Sequence, residues 1–141
     1  MSDRRHYLFD NSRIIDSGAG QHTLIINTDT AGTNFTFQLY ASTSLLSGVN
    51  TAQIDKSYII TAISNSDKSI IRYNGKEVSG SDIGANPIEP VTYIGRGILN
   101  SASSSFLDGY IAEFIIFDRV LKKSEYKAVE SYLQQKWGVN W

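Results

Sequence analysis

Short apolar runs separated by polar turns fill most of the chain, and the hydrophobic period changes only once, near residue 121. Residues 34–40 show the first pattern most cleanly. Phe35, Phe37 and Leu39 fall on one face of an extended segment, and Thr36, Gln38 and Tyr40 on the other, as in a half-buried strand. His22 to Asn27, with Leu24, Ile25 and Ile26 inside it, is a second strand candidate, and Asp29 to Thr33 between the two has hairpin-loop chemistry. Upstream, an apolar burst begins at Tyr7, breaks at Asp10-Asn11-Ser12 and resumes to Ile15. Lys56 to Ser64 predicts another strand. Ser69 to Tyr73 and Lys76 to Val78 flank Asn74-Gly75, the strongest short hairpin signal, because both central residues of a type I′ turn need positive φ. Ser79 to Pro90 holds both prolines and reads as a loop, Val91 to Ile94 as a short strand and Asn100 to Ser105 as a polar loop. From Tyr110 to Phe117 every residue except Glu113 is apolar. Such a run fits a strand buried on both faces.

Beyond Leu121 the period becomes helical. Tyr126, Val129, Leu133 and Trp137 fall at i, i+3, i+7 and i+11, one stripe of a helix expected over Ser124–Trp137. Ser124 is the expected N-cap, Glu125 suits the positive end of the helix dipole, and Lys136 suits the negative end. Gly138 can take the left-handed conformation that stops the helix. A helix of roughly thirteen residues is marginal alone, so the aromatic stripe is expected to lie against a sheet. Many short strands with no helix between them predict an all-β antiparallel sandwich closed by one C-terminal α-helix. With no internal repeat and no linker, the 141 residues read as one domain, 1–141.

Composition narrows the function classes. Thirteen basic and fourteen acidic residues are interspersed for a net charge of −1, without the basic footprint of a dedicated nucleic-acid binder. Without cysteine there is no disulfide framework, thiolate metal site or thiol catalysis. Ser, Thr, Asn and Gly supply about a third of the chain, which favours strands and polar turns. There is no run of eighteen apolar residues to suggest a membrane helix. The first residues lack the apolar core of a signal peptide.

Three motifs, in order, carry a family resemblance: Tyr73-Asn74-Gly75-Lys76, Tyr93-Ile94-Gly95-Arg96, and the stretch from Phe106 through Asp108-Gly109-Tyr110-Ile111-Ala112-Glu113 to Lys136-Trp137-Gly138. Together they resemble the closing half of a laminin-G-like domain of the concanavalin A-like lectin/glucanase superfamily. In that family an Asn-Gly hairpin precedes an Ile-Gly strand, a Gly-x-Ile-Ala-Glu strand and a final helix ending Lys-Trp-Gly. The match covers about Tyr58 to Val139 and is looser from Tyr7 to Tyr40. The resemblance implies a jelly-roll sandwich, here shortened on its N-terminal side.

Each candidate chemistry has a plainer reading beside it. A glycosidase needs two carboxyl groups placed across the scissile bond, and the Glu-x-Asp-x-x-Glu run that the superfamily's hydrolases carry is missing. Glu113 and Asp118 lie five apart, which in a strand puts them on opposite faces. Glu113 is therefore expected to be structural, bonded to backbone or to Arg119 or Arg96, and no catalytic residue is assigned. No cofactor is expected. Calcium, which relatives hold with loop oxygens, is the one candidate ion. Asp29, Asp67, Asp82, Asp108 and Asn100 are its candidate ligands, but no ligand spacing links them and each suits a turn equally well. His6 and His22 have no third partner for zinc. Gly18-Ala19-Gly20 and Gly95-Arg96-Gly97 lack the following Lys-Ser/Thr of a phosphate loop and read as turns. Asn34-Phe35-Thr36 has the form of a glycosylation sequon and reads as a strand start. Trp137 is expected in the core, which leaves Trp141 as the aromatic residue that can stack on a sugar.

Two function classes follow. The first is a non-catalytic structural or interaction protein of an assembly surface, such as a phage capsid-decoration or tail-fibre component located on the virion. It joins a normally extracellular fold to the missing leader, the missing disulfides, and a shortened front whose strand edges need a partner. The partner would be a second copy or another virion protein. The alternative is a carbohydrate-binding lectin module of a larger extracellular protein, with glycans as ligands. Neither reading involves nucleic acid or a membrane.

Overall fold

The structure is a computed structural model, and it describes residues 12–17, 22–28, 35–40, 44–46, 52–53, 55–81, 83, 92–95, 97–99, 102–104, 106–107 and 109–141. The strands are β1 (Ser12–Ser17), β2 (His22–Thr28), β3 (Phe35–Tyr40), β4 (Ser44–Leu46), β5 (Ile60–Ile63), β6 (Ser69–Tyr73), β7 (Lys76–Ser81), β8 (Thr92–Ile94), β9 (Gly97–Leu99) and β10 (Ala102–Ser104). A short 3-10 turn (Ser66–Lys68) precedes β6, and the helix α1 spans Lys123–Trp137. Five strands pair in the order β4-β3-β2-β1-β8, three in the order β5-β6-β7, and β9 pairs with β10. All of these pairings are antiparallel. The class is as expected: antiparallel sheets with one C-terminal helix.

The two larger sheets meet in one apolar cluster. Leu24, Phe37 and Leu39 come from the five-stranded sheet and Ile71 from the three-stranded one, with Ala52 and Ile83 from the intervening segments. Phe37 is central. Its ring meets Tyr58 edge-on at 5.1 Å and Tyr73 at 5.8 Å, separations at which aromatic pairs attract beyond simple burial. The alternation read in β3 holds for Phe37 and Leu39, while Gln38 on the opposite face is buried too. Ile83 is wholly buried although it follows the last residue of β7.

Register places the polar residues of the three-stranded sheet. Opposite residues of antiparallel strands share a face, and Arg72 of β6 lies opposite Thr61 of β5 and Glu77 of β7. Ile71, one residue earlier, lies opposite Ala62 and Val78 and faces the core. One face of this sheet is therefore apolar, and the other carries a Thr-Arg-Glu row. The Asn74-Gly75 turn between β6 and β7 has φ of 44° and 77°, as the type I′ reading requires. The Asn74 side chain also accepts a hydrogen bond from the Ile59 backbone at 2.8 Å, tying the turn to the entry of β5.

Helix α1 covers that polar face, which corrects the expected stripe. Tyr126 and Glu130 are its buried residues, Val129 and Leu133 are half-buried, and Trp137 is exposed. The reason lies in the sheet: the Thr-Arg-Glu row needs an acidic partner, so the helix turns Glu130 inward beside Tyr126. The N-cap is Lys122 rather than Ser124. Glu125, at N3, accepts a hydrogen bond from the Lys122 backbone at 2.7 Å. Gly138, with φ of 65°, ends the helix and donates to the Gln134 carbonyl.

The run Tyr110–Phe117 departs furthest from expectation. It forms no strand, and Tyr110, Ile111, Phe114, Ile115, Ile116 and Phe117 are exposed. A strand buried on both faces needs a ladder partner and two covering layers. Here the run is held instead through Glu113, which accepts from Trp137 Nε1 at 2.8 Å and pairs with Lys136 at 3.1 Å. Strands β4, β9 and β10 were unforeseen, and β10 occupies part of the stretch expected to be a loop. The early burst at Tyr7 and the Asp29–Thr33 loop lie outside the described residues.

Candidate functional site

The outer face of the three-stranded sheet builds a concentrated, buried polar arrangement. Arg72, 6% exposed, donates from Nε to Glu130 Oε1 at 2.7 Å and from Nη2 to Glu130 Oε2 at 3.0 Å. Its Nη1 donates to Glu77 Oε2 at 2.6 Å. Thr61 donates to Glu130 Oε1 at 2.8 Å, and the guanidinium lies 5.2 Å from the Tyr126 ring centroid. Glu130, 5% exposed, thus has both oxygens occupied. A bidentate fork of this kind is the strong form of the Arg–carboxylate pair. The hydrogen bonds to Glu130 hold the Arg72 proton above its ordinary value against burial, and the bond from Arg72 pulls the Glu77 carboxyl down. Burial pushes the Tyr126 hydroxyl up.

Beside this pair lies an open groove of about 290 Å³. Arg72 and Glu130 line it together with Gly75 of the hairpin turn and Lys127, Ser131 and Gln134 of α1, and Trp141 forms one wall. Lys127, Ser131 and Gln134 fall at i, i+4 and i+7, a polar stripe next to the buried face. The Trp141 indole sits directly on Gly75, where a Cβ would collide with it. Positive φ and close approach therefore both require glycine there. Half of the Trp141 surface (49%) remains exposed.

The candidate residues taken from the sequence fare differently. Glu113 is bonded to side chains of α1 and not to Arg119, and Arg96 lies outside the described residues. Its partners are Trp137, Lys136 and Tyr132, and these bonds, that from Trp137 foremost, hold its carboxyl below the usual range. Arg119 instead makes a two-point pair with Glu125, both contacts at 2.8 Å. Asp118 is exposed, and with no strand present the alternation argument separating it from Glu113 does not apply. Asp29, Asp82, Asp108, Asn100, Arg96, His6, Asn34 and Gly18–Gly20 lie outside the described residues, as do the side chains of Asp67 and His22. No group of three His, Cys, Asp or Glu suited to a metal occurs among the described residues, and no helix among them is long and apolar enough to cross a membrane. Gly95 is a turn residue with φ of 76°, and Gly97 opens β9. Sequence reasoning missed Arg72, Glu130 and Lys127. The available signal was a lone arginine inside an apolar strand, which needs an acid from a neighbouring element.

Comparison with known families agrees with this architecture. The profile of the concanavalin A-like lectin/glucanases superfamily, in its laminin-G form, matches residues 4–125. The chain belongs to this superfamily. The match takes in β1 to β3, where the sequence motifs were loosest, and ends at the first turn of α1. No curated protein and no solved structure matches the chain. The groove wall formed by Lys127, Ser131, Gln134 and Trp141 thus lies beyond the matched residues.

Proposed function

We propose that this laminin-G-type domain is a non-catalytic carbohydrate-recognition module. The observation that carries the reading is the half-exposed Trp141 indole held over Gly75 beside the polar groove. An indole face suits the C–H groups of a pyranose ring, and a few fixed polar groups around an aromatic wall are what orients a small ligand. The described glutamates are poorly suited to hydrolysis. A glycosidase acid needs a raised pKa, whereas Glu77, Glu113 and Glu125 are all pushed down. Glu130 is fully engaged by Arg72 and Thr61. A glycan array checks the proposal: weak, roughly micromolar to millimolar binding is expected, lost in Trp141→Ala with the fold intact by circular dichroism. Hits that survive Trp141→Ala, or no hits at all, overturn it.

A second reading is favoured by a different observation. The exposed apolar residues between Tyr110 and Phe117 suit a component of a protein assembly, such as a virion decoration or tail-fibre subunit, in which another chain covers them. An array without hits combined with self-association of the isolated domain would support this reading over the first.

A further inference from the structure

The chain holds one Asn-Gly dipeptide, Asn74-Gly75, between β6 and β7. Asparagine is a thermolabile residue, and a following glycine makes it most so. The backbone nitrogen of Gly75 is the nucleophile, and with no side chain beside it the approach to Asn74 Cγ is least hindered. A new N–C bond forms, the Cγ–Nδ2 bond breaks, and the proton of the attacking nitrogen leaves with the departing amine as ammonia. The five-membered imide then takes up one water. It opens to aspartate, or to isoaspartate, in which the main chain runs through Cγ. Water is the only co-reactant.

In the folded domain both reacting groups are held. Asn74 Oδ1 accepts from the Ile59 backbone at 2.8 Å, and Nδ2 donates to the Ser57 carbonyl at 3.4 Å. The Asn74 backbone N–H donates to the Ile59 carbonyl at 2.9 Å. Gly75 is covered by the Trp141 indole. Ring closure requires the Gly75 nitrogen to swing toward Cγ by rotation about the Asn74 ψ. The type I′ turn, with φ of 44° and 77°, fixes that torsion.

We propose that Asn74-Gly75 is a guarded modification site: it deamidates only when the turn opens, and conversion to isoaspartate dismantles the groove beside it. The consequence follows from register. A two-residue loop sets Tyr73 opposite Lys76 and Arg72 opposite Glu77. Isoaspartate adds a backbone carbon to that loop, so the turn that keeps this register no longer closes. Plain aspartate is milder. It keeps the acceptor for Ile59 but sets an oxygen against the Ser57 carbonyl where Nδ2 donated. Gly75 lines the groove and lies under Trp141, so a displaced turn loses its indole wall. This holds whatever the groove binds.

The test incubates the whole chain, the same chain in concentrated urea, the Trp141→Ala variant and a synthetic peptide of residues 69–79 side by side in warm, mildly alkaline buffer. Peptide mapping by mass spectrometry reads the conversion at Asn74. A reaction that passes through the open turn runs at the peptide's rate multiplied by the open fraction. The urea sample should match the peptide, and the folded chain should be at least about tenfold slower. Trp141→Ala, its fold checked by circular dichroism, should fall between them; if it does not fold, the comparison of folded chain with urea sample decides alone. Chain converted in urea and returned to buffer should show the Trp141 indole NMR resonance moved toward that of a solvated tryptophan, while unconverted chain refolded alike should not. A folded chain that converts as fast as the peptide overturns the guard, as does a folded Trp141→Ala variant no faster than the parent. Converted protein with an unmoved Trp141 resonance overturns the coupling to the groove.

Discussion

Arg72 occupies the central strand of a three-stranded sheet, where an unpaired cation would be strongly disfavoured. Glu130 reaches it from an element 58 residues away, so sheet and helix are joined through charge as much as through apolar contact. The physics of buried pairs separates two substitutions. Glu130→Ala leaves Arg72 buried with only Glu77 and should lower unfolding stability by about 3–5 kcal/mol. Arg72→Met combined with Glu130→Leu removes both charges and fills the space, and should fall within about 1 kcal/mol of the parent or above it. Urea denaturation of the three proteins measures this. A loss under about 1 kcal/mol for Glu130→Ala would mean that the pair is not buried in solution. Gly75 has an independent expectation. Its φ of 77° and the indole against it predict a cost of about 1–3 kcal/mol for Gly75→Ala, with a shift in tryptophan emission as Trp141 is displaced.

At the level of elements, the start of α1 depends on one carboxylate. The Glu125 side chain is held by Arg119 and by the Lys122 backbone, and its pKa falls from the ordinary 4.5 to about 2. A carboxyl with a depressed folded pKa stabilises fully above its unfolded value, and the contribution is lost as pH falls through the folded value. Ellipticity of the helix should therefore hold down to about pH 4.5 and decline toward about pH 2, and Glu125→Gln should start lower and flatten that decline. A decline of equal size in Glu125→Gln would assign the transition to other carboxylates. Elements governed by local rules were legible in the sequence: β6 and its turn to β7 follow from Asn74-Gly75, and the helix end follows from Gly138. The burial of Glu130 was not legible, because it depends on a register that sets Arg72 opposite Thr61 and Glu77. Strand-like composition also failed to predict pairing at Tyr110–Phe117, since composition reports what a segment can bury and not whether a partner strand is available.

For the whole molecule, the structure joins a well-packed centre to an uncovered flank. Ile71, Ile83 and Phe37 are sealed inside, whereas Ile116 is 67% exposed and Tyr110 fully so. Scattered exposed apolar residues are ordinary, but six within eight consecutive positions form a patch of the kind that protein contacts use. The run is rich in β-branched and aromatic residues, which suits addition to another chain's sheet as well as packing beneath it. Its one charge, Glu113, is tied back to Lys136 and Trp137 and does little to discourage a partner. Self-association through this flank is therefore expected, and a closed dimer or trimer is the commonest outcome for identical chains. Sedimentation equilibrium of the isolated domain should show concentration-dependent oligomers. Replacing both Phe114 and Ile116 by Lys should weaken association by at least about tenfold, because it places two charges where apolar contact is required. Neither Phe114 nor Ile116 lines the Trp141 groove, so sugar binding should persist in the same variant. A parent domain that stays monomeric at high concentration and binds no hydrophobic dye would show that the flank is covered within the single chain, and self-association would be withdrawn.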